Sequence, residues 1–344
     1  MKRSKFVILL SFLFALNVQA KEKTDCFRVV EYNVENLFDV ENDTLTLDDD
    51  FTPEGEYHWT YFRYRTKLNN IAKTIIAIGE GTPPALVGLC EIENRKVLED
   101  LVQKSPLGKY NYRILHQESP DARGVDAALL YQPDLFRVIS ADFITVSTDE
   151  VKTTRDILFA RGIVPTGDTL HVFMNHWPSR RGGEVASEKN RCYAASLVRE
   201  KVDSIFRATD MPYILIMGDF NDYPDNKSIT EVLLANPVPK DMCCPRELYN
   251  LFRQFQEDGR MGTYKFQSEW NVLDQMIVSG VFMRSETFAI RGEHDAHIFC
   301  PPFLCVDGKT GSESSPFRTY GGTMYKGGFS DHFPIYTDFY IQKK

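Results

Sequence analysis

The sequence predicts a mixed α/β fold, sheets carrying helices on their outer faces, and three features lead to it. Short apolar runs of strand length recur from one end of the chain to the other. Early on they alternate with longer segments whose apolar residues fall at helical spacing, the pattern that joins parallel strands through crossovers. Midway they follow one another in hairpins, which pair antiparallel. A sheet built both ways packs most economically with helices outside.

Residues 27–34 (FRVVEYNV) read as the first strand, ending in Glu35, Asn36 and Asp39. A polar loop rich in Asp and Thr follows at 41–56, and its run Asp48-Asp49-Asp50 reads as a solvated turn. Residues 64–78 place Leu68, Ile71, Ala72, Ile75 and Ile78 on one helical stripe, stopped by Pro83-Pro84. The run 85–90 (ALVGLC) is a buried strand with Glu91 at its end, and 94–104 is a helix capped by Asn94. Strands are predicted at 112–116, 125–131 and 136–146, then a hairpin of 155–164 and 170–176 with its turn at 165–168. Residues 185–207 form a long amphipathic helix. The run 213–217 (YILIM) is a strand buried on both faces; Gly218 lets the chain turn sharply, and Asp219, Asn221 and Asp222 crowd the turn. A short helix at 228–234, a strand at 272–279 carrying Asp274, an irregular stretch at 282–328 and a closing strand at 329–340 complete the chain. Long irregular stretches in compact domains are commonly functional.

Lys2, Arg3 and Lys5, an apolar run at 6–16 too short to span a bilayer, and Val18-Gln19-Ala20 read as a signal peptide at 1–20. The expected mature chain is exported, periplasmic or extracellular, with no membrane contact after cleavage. No linker, repeat or low-complexity run divides residues 21–344, so they are expected to form a single domain. The formal charge of −8 argues against a passive nucleic-acid coat, which needs a basic face. It leaves open a hydrolase that grips one phosphate through metal ions. Seven cysteines occur, and export would permit disulfides, with Cys300 and Cys305 the best candidate pair. None of their spacings resembles a structural zinc site.

Acidic and amide residues recur at strand ends: Asn33 and Glu35, Glu91, Asp219 and Asn221, Asp274, and Asp331. Histidines join them at His176 and His332. Taken singly, each place reads equally as an Asx-rich turn or a satisfied core histidine. Together they point to convergence on one sheet rim, with oxygen donors suited to magnesium, manganese or calcium. Arg180 and Arg181, following His176, read either as a solvated loop or as a phosphate clamp. His294 and His297 lie in a loop and are given no role.

The segments YNVEN (32–36), LCE (89–91), GVDAALLY (124–131), NHWPSR (175–180), GDFND (218–222), LDQMIVS (273–279) and SDHFP (330–334), in this order, resemble the endonuclease/exonuclease/phosphatase superfamily over nearly the whole chain. The resemblance implies a four-layer α/β/β/α sandwich with its site at one edge of two packed sheets. It implies Glu91 as the main magnesium ligand, with Asn33 and Glu35 beside it and Asp331 at a second metal site. Many members carry Asp where Glu35 stands. It implies Asp219 as the residue positioning or deprotonating the attacking water, and Asn221 as the residue orienting the phosphate. His332 would contact the phosphate or shuttle a proton, with Asp274 orienting it, and His176 would be a second phosphate-facing histidine. Asp126 would have a supporting role. Two functions are expected in competition: a secreted nuclease acting on nucleic acid, or a phosphatase or phosphodiesterase acting on a small-molecule or lipid-headgroup phosphate. A degenerate binding module is disfavoured, since no catalytic position is visibly lost. No stable protein partner is implied, and a monomer is expected.

Overall fold

Strand alternation assigns each apolar residue to one of two layers, and the computed structural model, which describes residues 25–147, 154–308 and 314–342, sorts them accordingly. Residues 1–20, read above as a signal peptide, lie outside the described residues.

The first sheet is built on strand β1 (Asp25–Leu37). It lies parallel to β2 (Leu86–Ile92) and antiparallel to the C-terminal strand. Helix α1 (Tyr61–Gly79) is the β1–β2 crossover, and α2 (Arg95–Lys104) follows β2. The side chain of Asn94 accepts a hydrogen bond from the Val97 N–H, capping α2 as its sequence predicts. Strands β3 (Arg113–Leu115) and β4 (Asp126–Tyr131) complete one side of the sheet.

The second sheet begins with β5 (Arg137–Ile144), β6 (Ile157–Ile163) and β7 (Thr169–His176), paired antiparallel in succession. Helix α3 (Glu184–Ala208) carries the chain across to β8 (Tyr213–Asp219), parallel to β7. Short strands β9 (Ala235–Pro237) and β10 (Leu248–Asn250) lie at the far edge. Beyond helix α4 (Arg253–Asp258) comes a hairpin of β11 (Tyr264–Phe266) and β12 (Glu269–Asn271), and then β13 (Asp274–Ser279), which enters the second sheet antiparallel to β8.

The stretch 282–328, read as irregular, contains β14 (Phe288–Ala289) and β15 (Ala296–Ile298). Both pair with the closing strand, and a small hairpin of β16 (Tyr320–Gly321) and β17 (Met324–Tyr325) precedes it. The closing strand is β18 (Ile335–Ile341). Such two- and three-residue strands are too short for periodicity to reveal.

Three apolar layers hold the assembly. Phe27, Val29, Leu86 and Leu129 from one sheet meet Val172, Met174, Leu215 and Met217 from the other. The alternate residues Val30, Tyr32, Val87 and Leu89 face Leu68, Ile71 and Ile75 of α1. On the second sheet Phe173, Ile214 and Ile216 face Ala194, Val198 and Val202 of α3. The order is therefore helix, sheet, sheet, helix, as the family resemblance implies. Among the described residues no helix is long and apolar enough to cross a membrane.

Two expectations are corrected. Gly218 does not begin a turn; it lies within β8 opposite Asn175, at φ +147°. A Cβ there would collide with the Asn175 carbonyl, so glycine lets β7 and β8 close up beside the site. The candidate disulfide does not form, and both cysteines are free. A tight turn at Pro302–Leu304 aims the Cys305 thiol at the main-chain oxygen of Pro301, 3.4 Å away, while the Cys300 sulfur packs 3.7 Å from that of Met261.

Candidate active site

Strand register brings the acidic and imidazole groups together. His176 ends β7 opposite Asp219 of β8, and Asp219 lies opposite Asp274 of β13. Three residues from distant parts of the chain thus form one cross-strand row on the rim of the second sheet. In the first sheet Asn33 pairs with Cys90, one residue before Glu91, and the register breaks there. Glu35, Asn36, Glu91 and Asn221 all have left-handed backbone, with φ between 51° and 65°. Strained non-glycine residues gather where side chains must be re-aimed.

Asp219 sits at the centre. Its Oδ1 accepts from the Asn221 N–H at 2.8 Å and its Oδ2 from Asn33 Nδ2 at 3.1 Å. The Nε2 atoms of His176 and His332 stand 3.8 and 4.0 Å from that same Oδ2, one on each β-sheet's contribution to the rim. Burial first, then the like charge of Asp274, raises the Asp219 carboxyl to about 6, against the pull of His332.

The two histidines are held in different states. Nδ1 of His332 donates to Asp274 Oδ2 at 2.7 Å, its main-chain N–H donates to Ser330 Oγ, and its ring lies 4.8 Å from that of Tyr264. Burial opposes its charge, but Asp274, Asp219 and Asp331 outweigh burial and hold His332 well above the ordinary value, as an imidazolium. His176 is buried, and its Nδ1 has no hydrogen-bond partner. Burial, then the positive charges of Arg155 and Arg123, hold it well below the ordinary value, as a neutral ring. Asp274 is itself fixed by its main chain, whose N–H donates to Thr263 Oγ1.

Glu91 Oε2 accepts from the Asn36 N–H at 3.0 Å, leaving Oε1 facing His176 at 4.0 Å and Arg123 at 3.8 Å. Asn33, Glu91, Asp219, Asn221, Asp331 and His332 all line one cavity of about 650 Å³. Within it, Glu91 Oε1, the Asn33 amide oxygen and Asp331 are oxygen donors of the kind a hard divalent cation takes, with no sulfur among them. Asp219, Asp274 and His332 also bring ligand atoms within 4.8 Å of one another. In that trio His332 and Asp274 are already hydrogen-bonded to each other, so the arrangement suits a proton relay better than a metal.

Asp331 accepts from Arg318 at 3.1 Å. Glu35 departs from the expected metal role: it does not line the cavity, and its carboxylate accepts from the main-chain N–H groups of Thr319 and Tyr320. The buried ammonium of Lys67 lies 3.9 Å from it. The left-handed backbone at Glu35 turns the side chain away from Asn33, and those partners satisfy it. Asp126 is also elsewhere, accepting from Ser119 and held 3.0 Å from His116 Nε2. Asn221 donates its amide to the Trp177 carbonyl. Arg180 donates to the Asn221 main-chain oxygen at 2.7 Å and lies 4.0 Å over the Tyr223 ring, so it braces the turn, while Arg181 stands exposed at the cavity rim.

Sequence reasoning missed Arg123, Tyr264 and Phe266, which line the same cavity. Tyr264 and Phe266 belong to a three-residue strand, and Arg123 to a turn; none carries a local signal.

The sequence profile described as the Endonuclease/Exonuclease/phosphatase family matches residues 28–343. No curated protein is matched by the sequence. Among solved structures, a family protein from Bacteroides thetaiotaomicron is 17% identical with TM-score 0.56, covering 92% of this chain and 98% of its own. The human Nocturnin catalytic domain with bound sulfate anion is 15% identical with TM-score 0.55, covering 92% and 95%. D. rerio TDP2, complexed with single strand DNA product, is 13% identical with TM-score 0.53, covering 91% and 98%. At these identities the likeness is one of fold.

Proposed function

The chain belongs to the endonuclease/exonuclease/phosphatase family, and from that premise we propose that it is an exported, metal-dependent nuclease hydrolysing phosphodiesters of nucleic acid. The observation that carries the reading is Asp219 poised between a neutral His176 and a charged His332. A carboxylate near 6 is ionised at neutral pH yet basic enough to take a proton from water. His332, charged and anchored by Asp274, supports the negative charge on a phosphoryl oxygen and has a proton to give. His176, neutral, offers a hydrogen bond without a second full charge beside the first. Asn33 and Asn221 hold the Asp219 oxygens in place. A divalent cation held by Glu91 with Asn33 and Asp331, magnesium by its oxygen preference or else manganese or calcium, supplies charge neutralisation on the phosphoryl oxygens when bound.

Arg123 and Arg181 at the rim and the Tyr264–Phe266 wall favour a substrate carrying both phosphate and a planar base. The D. rerio relative complexed with single strand DNA product is consistent with this choice. One observation favours the competing reading: a cavity of about 650 Å³ is the size of a small-ligand pocket, not a long trough. The two separate when purified protein is incubated with plasmid, single-stranded DNA, RNA, bis-p-nitrophenyl phosphate and p-nitrophenyl phosphate, with and without magnesium. Magnesium-dependent cutting of a nucleic acid is the expected result. Turnover of monoester alone would overturn the nuclease reading in favour of a phosphatase.

A further inference from the structure

At the edge of the second sheet opposite the catalytic rim, a groove of about 930 Å³ opens between α3 and the outer face of β5, β6 and β7. Its floor is a cross-strand row in which Ser140 lies opposite Arg161 and Arg161 opposite His171. Directly opposed residues present side chains about 5 Å apart on one face, so a hydroxyl, a guanidinium and an imidazole share one patch. Lys201 reaches in from α3, 4.7 Å over the Phe159 ring. The rings of Phe159 and His171 are nearly parallel, 10° apart in plane and 6.0 Å between centroids. His176 lies five residues further along β7, about 16 Å at strand rise, so this groove is separate from the hydrolytic cavity.

The Arg161 guanidinium in this patch lacks a partner of opposite charge among the described residues. His171 Nδ1 is buried without a hydrogen bond. The side chain of Arg161 forms no hydrogen bond or ion pair among the described residues. Two carboxylates line the groove, and both are engaged: Asp142 stands 4.0 Å from Lys201, and Asp168 accepts from Thr166 and Thr287. Burial, then the charges of Arg161 and Lys201, lower His171 to about 4. In a chain of net charge −8, a local positive field converging on an unsatisfied ring nitrogen marks a place for an oxyanion. Arginine's planar fork suits the tetrahedral, multiply accepting phosphate.

We propose that this groove is a non-catalytic binding site for a phosphate group, gripped by Arg161 with His171 Nδ1–H and Ser140 Oγ donating and Lys201 at its edge. Ile139 and Met211, both about half exposed, offer apolar surface to an organic body attached to that phosphate. The site stands whether or not the catalytic cavity cleaves nucleic acid.

The test follows histidine ring NMR signals of the full chain during titration at pH 7 and constant ionic strength. The probes are inorganic phosphate, glycerol 3-phosphate and a mononucleotide. The His171 signal, identified by its loss in His171→Phe, is expected to shift saturably. Arg161→Met is expected to weaken that shift roughly tenfold or more, the loss of a charge-assisted contact, and to leave hydrolysis unchanged. Equal affinity for all three probes identifies free phosphate as ligand; tighter binding of the esters identifies an organic phosphate. A His171 signal that stays still while His332 or His176 responds would overturn the proposal. So would an equal shift with sodium chloride alone, or an unchanged affinity in Arg161→Met.

Discussion

Asp219 has to be buried and yet lose its proton, and the residues around it show how those demands are balanced. Desolvation and Asp274 push the carboxyl up to about 6, and His332 with the donors of Asn33 and Asn221 pulls it back. Because the ionised form accepts the water proton, kcat/KM should fall about tenfold per unit below a limb at about 6, moved lower by a bound cation. His332, held well above its ordinary value, should add no loss of activity just above neutrality. A pH profile with its acid limb at pH 7.5 or higher would contradict that assignment. Asp219→Asn and His332→Gln should each lower kcat by roughly 10²-fold or more with an unchanged circular-dichroism spectrum; near-normal turnover in either removes it from the chemistry. Glu35 and Glu91 should separate cleanly. Glu91→Gln is expected to raise the metal concentration needed for half-maximal activity, because its free oxygen faces the cavity. Glu35→Gln is expected to lower Tm instead, because its carboxylate neutralises Lys67 and takes two main-chain donors.

At the scale of elements, two devices hold the rim. The first is the contact of β7 with β8, where Gly218 faces the Asn175 carbonyl with left-handed backbone. Gly218→Ala meets both a clash and a forbidden φ, so a loss of about 2 kcal/mol or more is expected by denaturant titration. A neutral substitution would mean the strands can part without cost. The second is the buried ammonium of Lys67 on α1, which donates to Thr319 Oγ1 and to the Phe329 main-chain oxygen at 2.7 Å. Asn70 on the same helix donates to Gly328. These bonds pin both ends of the stretch that carries Arg318 toward Asp331 and leads into His332.

For the whole molecule, the apolar layers and the polar rim are separable. The core clusters join both sheets and their helices without using any metal donor. Chelation with EDTA is therefore expected to abolish hydrolysis while the unfolding midpoint moves by only a few degrees; cooperative unfolding on chelation would show that the cation is structural. Acid stability belongs to this scale too. His171 falls from an ordinary 6.5 to about 4 in the folded chain. The unfolded chain therefore takes up that proton first, and stability declines as pH falls from about 6.5 toward 4. In phosphate-free buffer His171→Phe should remove up to about 2 kcal/mol of that decline, allowing for partial exposure of the ring.

Mixed sheets with helices on their outer faces and the group of strand-end residues were legible in the sequence because both follow from local rules, while the four-layer order came from the family resemblance. Alternating burial shows in runs such as YILIM, and oxygen-bearing residues beside such runs stand out. Residues 32–36, 89–91, 218–222 and 330–334 also carry enough specific pattern to indicate the family. Register, approach and electrostatic state needed the folded chain. Only the pairing of β7, β8 and β13 sets His176, Asp219 and Asp274 side by side, and only the folded surroundings make one histidine neutral, by burial beside arginines, and the other charged, by carboxylates that outweigh burial. The inward or outward turn of Glu35, the free thiols of Cys300 and Cys305, and the cross-strand row beneath Arg161 were equally invisible beforehand. Sequence sets what a residue is able to donate, accept or bury; which neighbour it meets depends on strands that lie far apart along the chain and come together only in the sheet.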